Sequence, residues 1–182
     1  SKFDISVDYE SLARVGSIVG SGGMIVLDED DCMVNMAKYF IQFTQSESCG
    51  KCVPCRVGTK RLLEILERIT RGHGRTGDID KLEKLSAGIK ATSLCGLGQT
   101  APNPILSTIR YFRDEFEAHI RDKKCPARAC TGLLTYSINE AACTACGTCA
   151  AVCPSGVIRP AELQWGILDP AKPHLAYDRA YC

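Results

Sequence analysis

Seven of the chain's twelve cysteines lie in two short runs, and this crowding restricts the fold more than any other feature. The first run is Glu47-Ser48-Cys49-Gly50-Lys51-Cys52-Val53-Pro54-Cys55-Arg56, a C-x2-C-x2-C pattern followed by arginine. The second is Cys143-Thr144-Ala145-Cys146-Gly147-Thr148-Cys149-Ala150-Ala151-Val152-Cys153-Pro154. Spacers this short let the backbone curl so that successive sulfurs face one pocket, as soft metals require. A disulfide-stapled scaffold would also explain a high cysteine count. The long amphipathic helices between the runs need no such staples, so metal ligation is expected, in a reducing cytoplasm.

Charge excludes other classes. The 182 residues include 22 basic and 21 acidic side chains, a net charge of +1, which gives no reason to expect nucleic acid or an anionic membrane as partner. No apolar run approaches the roughly 18 residues of a membrane span, and no signal peptide opens the chain. The length suits one ordinary domain and a small one.

Residues 1–30 read as the end of a domain. A short helix is expected within Tyr9 to Val19, then a turn at Gly20-Ser21-Gly22-Gly23, then a strand at Met24-Ile25-Val26-Leu27. The glycines precede the strand, the reverse of a dinucleotide-binding turn. Four helices come next, in residues 31–124. The first, over 31–47, carries Met33, Met36, Ala37, Phe40 and Thr44 at helical spacing. The second, from about Cys55 to Arg71, carries Leu62, Leu63, Leu66 and Ile69, and ends in a loop where His73 is solvated. The third starts near Asp78 with Asp80 and Glu83 as a capping box, and carries Ile79, Leu82, Leu85 and Ile89. The fourth is capped by Asn103, has Pro104 at its first position, and runs to about Arg121 with Ile105, Ile109, Phe112, Phe116 and Ile120 inside. Short loops make this an up-down bundle.

The bundle topology groups the candidate ligands. Cys49, Cys52 and Cys55 lie between the first two helices, and Cys95 lies in Ser93-Leu94-Cys95-Gly96-Leu97-Gly98 between the last two. All four thiolates then gather at one end, where the starts of the second and fourth helices favour an anionic assembly. A [4Fe-4S] cluster fits; so does a structural zinc ion. At the other end, Cys32, His119, Cys125 and Cys130 form a Cys3His set suited to closed, structural zinc, in a linker over 125–132. From Leu133 a strand is expected to run to Ile138, within a domain over 133–182.

The second run is the bacterial ferredoxin pattern C-x2-C-x2-C-x3-C-P, in which the first three cysteines hold one cluster and the fourth serves another. Here Cys143, Cys146 and Cys149 lack an evident fourth ligand. Cys153 either pairs with Cys182 on an incomplete second site or closes a single cluster locally, and His174 is a weaker metal candidate.

Together these residues, with Gly20-Ser21-Gly22-Gly23, resemble the C-terminal half of the flavoprotein subunit of NADH dehydrogenases. With the ferredoxin run added, the chain is similar to the beta subunit of electron-bifurcating [FeFe]-hydrogenases and NAD(P)-ferredoxin transhydrogenases. The resemblance implies a mainly α fold: a four-helix iron–sulfur bundle, preceded by the end of a small ubiquitin-like α+β domain and succeeded by a ferredoxin-like α+β domain. It implies a [4Fe-4S] cluster on Cys49, Cys52, Cys55 and Cys95 that takes electrons from FMN, with FMN and NAD(P) bound upstream. The chain is then expected to be a C-terminal portion, cut within its second ferredoxin motif. Implied partners are a thioredoxin-like [2Fe-2S] subunit, a large hydrogenase- or dehydrogenase-type iron–sulfur subunit, and soluble ferredoxin. The expected function is electron relay, with no residue acting as acid, base or nucleophile. The rival expectations are a structural zinc-binding module and a stand-alone ferredoxin-type carrier.

Overall fold

The structure, a computed structural model, describes residues 4–20, 22–134, 139, 141–142, 144, 146–153, 158–159 and 174–175. These residues are mainly helical. The helices are α1 (Tyr9–Arg14), α2 (Met33–Ser46), α3 (Val53–Thr70), α4 (Asp78–Thr92), α5 (Gly96–Thr100), α6 (Asn103–Tyr111), α7 (Arg113–Glu117) and α8 (Thr148–Val152). A π-helical turn at Ala118–Asp122 continues from α7, and a 3-10 turn occupies Thr131–Leu133. Two short strands, β1 (Ile158–Arg159) and β2 (His174–Leu175), pair antiparallel with Ile158 opposite Leu175. Among the described residues no helix is long and apolar enough to cross a membrane.

Four helices close a ring: α2 packs on α3, α3 on α4, α4 on α6, and α6 on α2. The ring exists because each helix buries one stripe. In α3, Leu62, Ile65, Leu66 and Ile69 recur at three- and four-residue steps and are all buried. In α2 the buried stripe is Met33, Val34, Ala37 and Ile41, set off from the expected one; Met36, Phe40 and Thr44 are half-buried. In α4, Ser86 takes the inward place expected of Leu85, which is exposed. The π-helical turn lies against α3, and Gly74, beyond the end of α3, lies close to Ile120. The end of α3 and the start of α2 therefore share one end of the ring.

Several expectations fail for local reasons. No strand forms at Met24-Ile25-Val26-Leu27, and these side chains are exposed; a strand needs a neighbour to pair with. The capping box at Asp80 and Glu83 does not form. Gly77 caps α4 in a left-handed conformation (φ +87°) that favours glycine, and Asp78 turns inward instead. Asn103 does not cap α6: Pro102 holds that place, Asn103 is the first residue, and the additional helix α5 precedes them. The fourth expected helix is broken. At Phe112 the backbone leaves the helical region (φ −133°, ψ +40°), which turns Phe112 outward to 41% exposure and lets Phe116 re-enter the core fully buried. Of the strand expected over Leu133–Ile138, Leu133 lies in the 3-10 turn, and 135–138 fall outside the described residues.

Asp78 is the one fully buried carboxylate among the described residues. Its Oδ1 accepts from Arg68 Nη2 at 2.6 Å and its Oδ2 from the backbone N–H of Arg75 at 2.9 Å. The pair ties the end of α3 to the start of α4. Removing one partner of a buried ion pair strands the other. Asp78→Asn is expected to lower stability by about 3 kcal/mol, the low end for such breaks because Arg68 still reaches water. Urea unfolding measures this; a change under about 0.5 kcal/mol, the scale of an ordinary surface substitution, would contradict it.

Candidate functional site

Two groups of candidate ligands are assembled, one at each end of the ring. At the first end, Cys32 precedes α2 and caps it, its Sγ accepting from the Asn35 N–H at 3.4 Å. His119 sits in the π-helical turn, a geometry often found where a helix must present a functional side chain. Cys125 and Cys130 come after it, with Arg128 between them in a left-handed conformation (φ +53°). The ligand atoms of Cys32, His119, Cys125 and Cys130 all lie within 4.8 Å of one another, and all four residues are buried. Cys32 Sγ is 3.6 Å from Cys130 Sγ and 3.3 Å from His119 Nε2; Cys130 Sγ is 3.4 Å from the same nitrogen.

Around this group the protonation states are set by the neighbours. The hydrogen bond from Cys130 does most to pull the Cys32 thiol down to about 4; burial opposes it and His119 adds to it. Cys130 is driven far up, first by the bond it donates to Cys32 and then by burial. Burial would lower His119, but its bonds to Cys32 and Glu115 outweigh that and raise it. His119 Nδ1 lies 2.7 Å from the Glu115 carbonyl oxygen, to which Nδ1–H donates, leaving the Nε2 lone pair facing the sulfurs. Such a bond on the far ring nitrogen is the usual support of a metal-ligating histidine. Three sulfurs and one aimed imidazole nitrogen form a donor set compatible with metal binding.

At the other end, the loop before α3 meets the loop after α4. The Cys52 thiol is held below its ordinary value chiefly by the backbone N–H of Leu94, and then by that of Cys55. Leu94 adjoins Cys95, so two loops distant in sequence flank one surface. Cys55 is buried, Cys52 half-buried, and Cys49 and Cys95 exposed. The backbone is tight here: a Cβ on Gly98 would lie 2.6 Å from Ser93 and 3.1 Å from the Cys55 Cβ. Ser48 Oγ lies 3.4 Å from Cys55 Sγ. Four thiols on two loops, with backbone N–H groups turned toward a sulfur, fit an anionic iron–sulfur cluster.

In the second run the structure describes Cys146, Cys149 and Cys153; Cys143 and Cys182 fall outside the described residues. Cys146, before α8, is drawn down to about 7, first by the Thr148 hydroxyl, then by the Thr148 N–H and the Thr144 hydroxyl. The backbone of His174 lies in β2. His73 is exposed, as expected.

Known proteins share both cysteine-bearing regions. Residues 35–119 match the NADH-ubiquinone oxidoreductase-F iron-sulfur binding region, and residues 136–159 match a 4Fe-4S binding domain. Over that first region the chain belongs to the NADH dehydrogenase F-subunit family. It is 64% identical over 151 residues to the NADP-reducing hydrogenase subunit HndC of Solidesulfovibrio fructosivorans, covering 83% of this chain and 31% of that one. It is 42% identical over 123 residues to the F subunit of the NADH-quinone oxidoreductase of Mycobacterium tuberculosis (strain ATCC 25618 / H37Rv), covering 68% of this chain and 28% of that one. A solved NAD+-reducing [NiFe]-hydrogenase in the H2-reduced state matches 53% of this chain and 16% of its own, with 34% identity and a TM-score of 0.51. The chain thus spans about a third of the length of the curated relatives it matches. Its relatives are oxidoreductase subunits, and its 4Fe-4S binding regions imply electron transfer.

Proposed function

We propose that this chain is the electron-relay portion of an NAD(P)H-linked flavoprotein subunit, passing single electrons between an upstream FMN and partner iron–sulfur centres or ferredoxin. The parent assembly is a multisubunit, electron-bifurcating oxidoreductase of the cytoplasm. Its partners are a thioredoxin-like [2Fe-2S] subunit, a large hydrogenase- or dehydrogenase-type iron–sulfur subunit, and soluble ferredoxin. When bound, the [4Fe-4S] clusters supply one-electron chemistry. Cys49, Cys52, Cys55 and Cys95 hold the bundle cluster. Cys143, Cys146, Cys149, Cys153 and Cys182 serve the ferredoxin-like region. Cys32, His119, Cys125 and Cys130 hold a structural zinc ion that staples the bundle to the ferredoxin-like region, and the segment 125–132 allows that region to swing. Residues 1–30 are the end of a ubiquitin-like domain.

The observation that supports this most is the Leu94 N–H directed at Cys52, because it brings the Cys95 loop against the C-x2-C-x2-C loop. A hydrogen bond to a ligand sulfur stabilises the added negative charge of a reduced cluster. The protein's part is therefore to hold the sulfurs, present N–H groups to them, and exclude water from Cys55, which is 4% exposed.

Anaerobic purification tests this reading. The protein is expected to be brown, to contain iron and acid-labile sulfide in near-equal amounts, and to bleach with dithionite. Colourless, iron-free protein holding zinc alone would replace this reading with that of a structural zinc module.

A further inference from the structure

We infer that Ser48 is a redox-tuning residue: its hydroxyl donates a hydrogen bond to Cys55 Sγ and sets the reduction potential of the centre that Cys55 ligates. This rests on the reading of Cys55 as a cluster ligand. Three contacts carry it. Ser48 Oγ is 3.4 Å from Cys55 Sγ. The same oxygen accepts from the backbone N–H of Gly50 at 3.3 Å. The carbonyl of Gly50 accepts from Arg56 Nη1 at 2.8 Å.

These contacts settle the direction of the serine proton. Between a thiol and a hydroxyl, either group can donate. Once Cys55 is a metal-bound thiolate it has no proton, so the hydroxyl is the sole donor of the pair. The Gly50 N–H occupies a lone pair of Ser48 Oγ and leaves the O–H free to turn to sulfur. Donation into an oxygen also strengthens donation out of it. Gly50 is thus held on both sides, by Ser48 at the N–H and by Arg56 at the carbonyl. Its left-handed conformation (φ +74°) suits glycine, and the Arg56 stem lies over it, with Cδ 3.7 Å from where a Cβ would be.

Cys55 is buried, so a bond to its sulfur acts in a weakly screened site. Hydrogen bonds to cluster sulfurs are among the established determinants of potential. Reduction adds negative charge to the sulfurs, and the hydroxyl dipole stabilises that charge more than the oxidised state. Ser48 therefore makes the centre easier to reduce. Ser48 is a positioning residue, since it acts through the sulfur and not on the transferred electron itself.

The experiment is a redox titration of the complete, cluster-loaded protein with dithionite and mediators, read by the EPR signal of this cluster. EPR counts only loaded clusters, so partial loading does not obscure the potential. Ser48→Ala is expected to disfavour reduction by roughly tenfold, about 59 mV more negative for one electron. Ser48→Thr keeps a hydroxyl and is expected to restore the wild-type potential. An unchanged potential in loaded Ser48→Ala would overturn the proposal. So would complete loss of the cluster from Ser48→Ala with normal loading of Ser48→Thr, because Ser48 would then serve assembly. An iron-free wild type would instead be the failure of the cluster reading, which is a different result.

Discussion

Cys95→Ala is expected to abolish the EPR signal of the reduced bundle cluster while leaving the helical ring folded. The cysteine is exposed, and its side chain makes no capping bond to α5. Its loss removes no core contact, and the cost to folding should stay within about 0.5 kcal/mol. Yet it is the one ligand from the second loop. A site left with three thiolates holds either a three-iron cluster or none, so iron should fall by about one to four ions per chain. Cys55→Ala is the informative contrast. Cys55 is buried against Gly98 and Ser48, so that variant is expected to lose both the cluster and some stability. Iron analysis and EPR, beside a thermal unfolding curve, separate the two. A Cys95→Ala protein with wild-type iron and an unaltered signal would remove Cys95 from the ligand set.

Cys130→Ala is expected to empty the other centre. Zinc content should drop by about one ion per chain, and the segment 123–131 should become open to protease. The effect on stability should be several kcal/mol, bounded above by the roughly 10–16 kcal/mol that structural zinc contributes in small zinc-finger peptides. The helical core supplies stability of its own here, so the bound will not be reached. Without the ion, two buried thiols and His119 remain packed together with nothing to coordinate. His73→Ala is the control: His73 is exposed and is not one of these donors, and its loss should leave zinc unchanged. Retention of one zinc per chain by Cys130→Ala would exclude this ligand set.

Much of the candidate site is legible in the chain because ligand spacing is a local property. C-x2-C-x2-C curls its own thiols together whatever surrounds it. The grouping of Cys32 with His119, Cys125 and Cys130 comes from helix count and loop length alone, since alternating helices bring the start of the first beside the end of the last. The same reasoning misses Ser48, although it adjoins Cys49. A serine beside a cysteine carries no signal of where its hydroxyl points. It also misses Asp78: an acidic residue at a helix start reads as a cap or a solvated charge, and here Arg68 and the Arg75 N–H draw it fully inside.

Other differences have a common cause. The expected stripe on α2 is set off from the observed one because Met36 and Phe40 are as apolar as Val34 and Ile41, and periodicity cannot choose between adjoining stripes. The fourth helix looks continuous in sequence, because Phe112 keeps the spacing of Ile109 and Phe116. Its break is offset by contacts distant in sequence: Arg113 reaches Glu83 at 2.9 Å, and Glu115 accepts the Met33 N–H at 3.1 Å.

The residues themselves thus determined which atoms can hold metal and, through helix periodicity, which end of the ring each set occupies. Tertiary structure alone decided the turn at Phe112, the π-helical turn at His119 and the inward Asp78. The reason is physical. Ligand chemistry and helix spacing are short-range, whereas a kink or a buried charge is stable only when partners from other helices satisfy it.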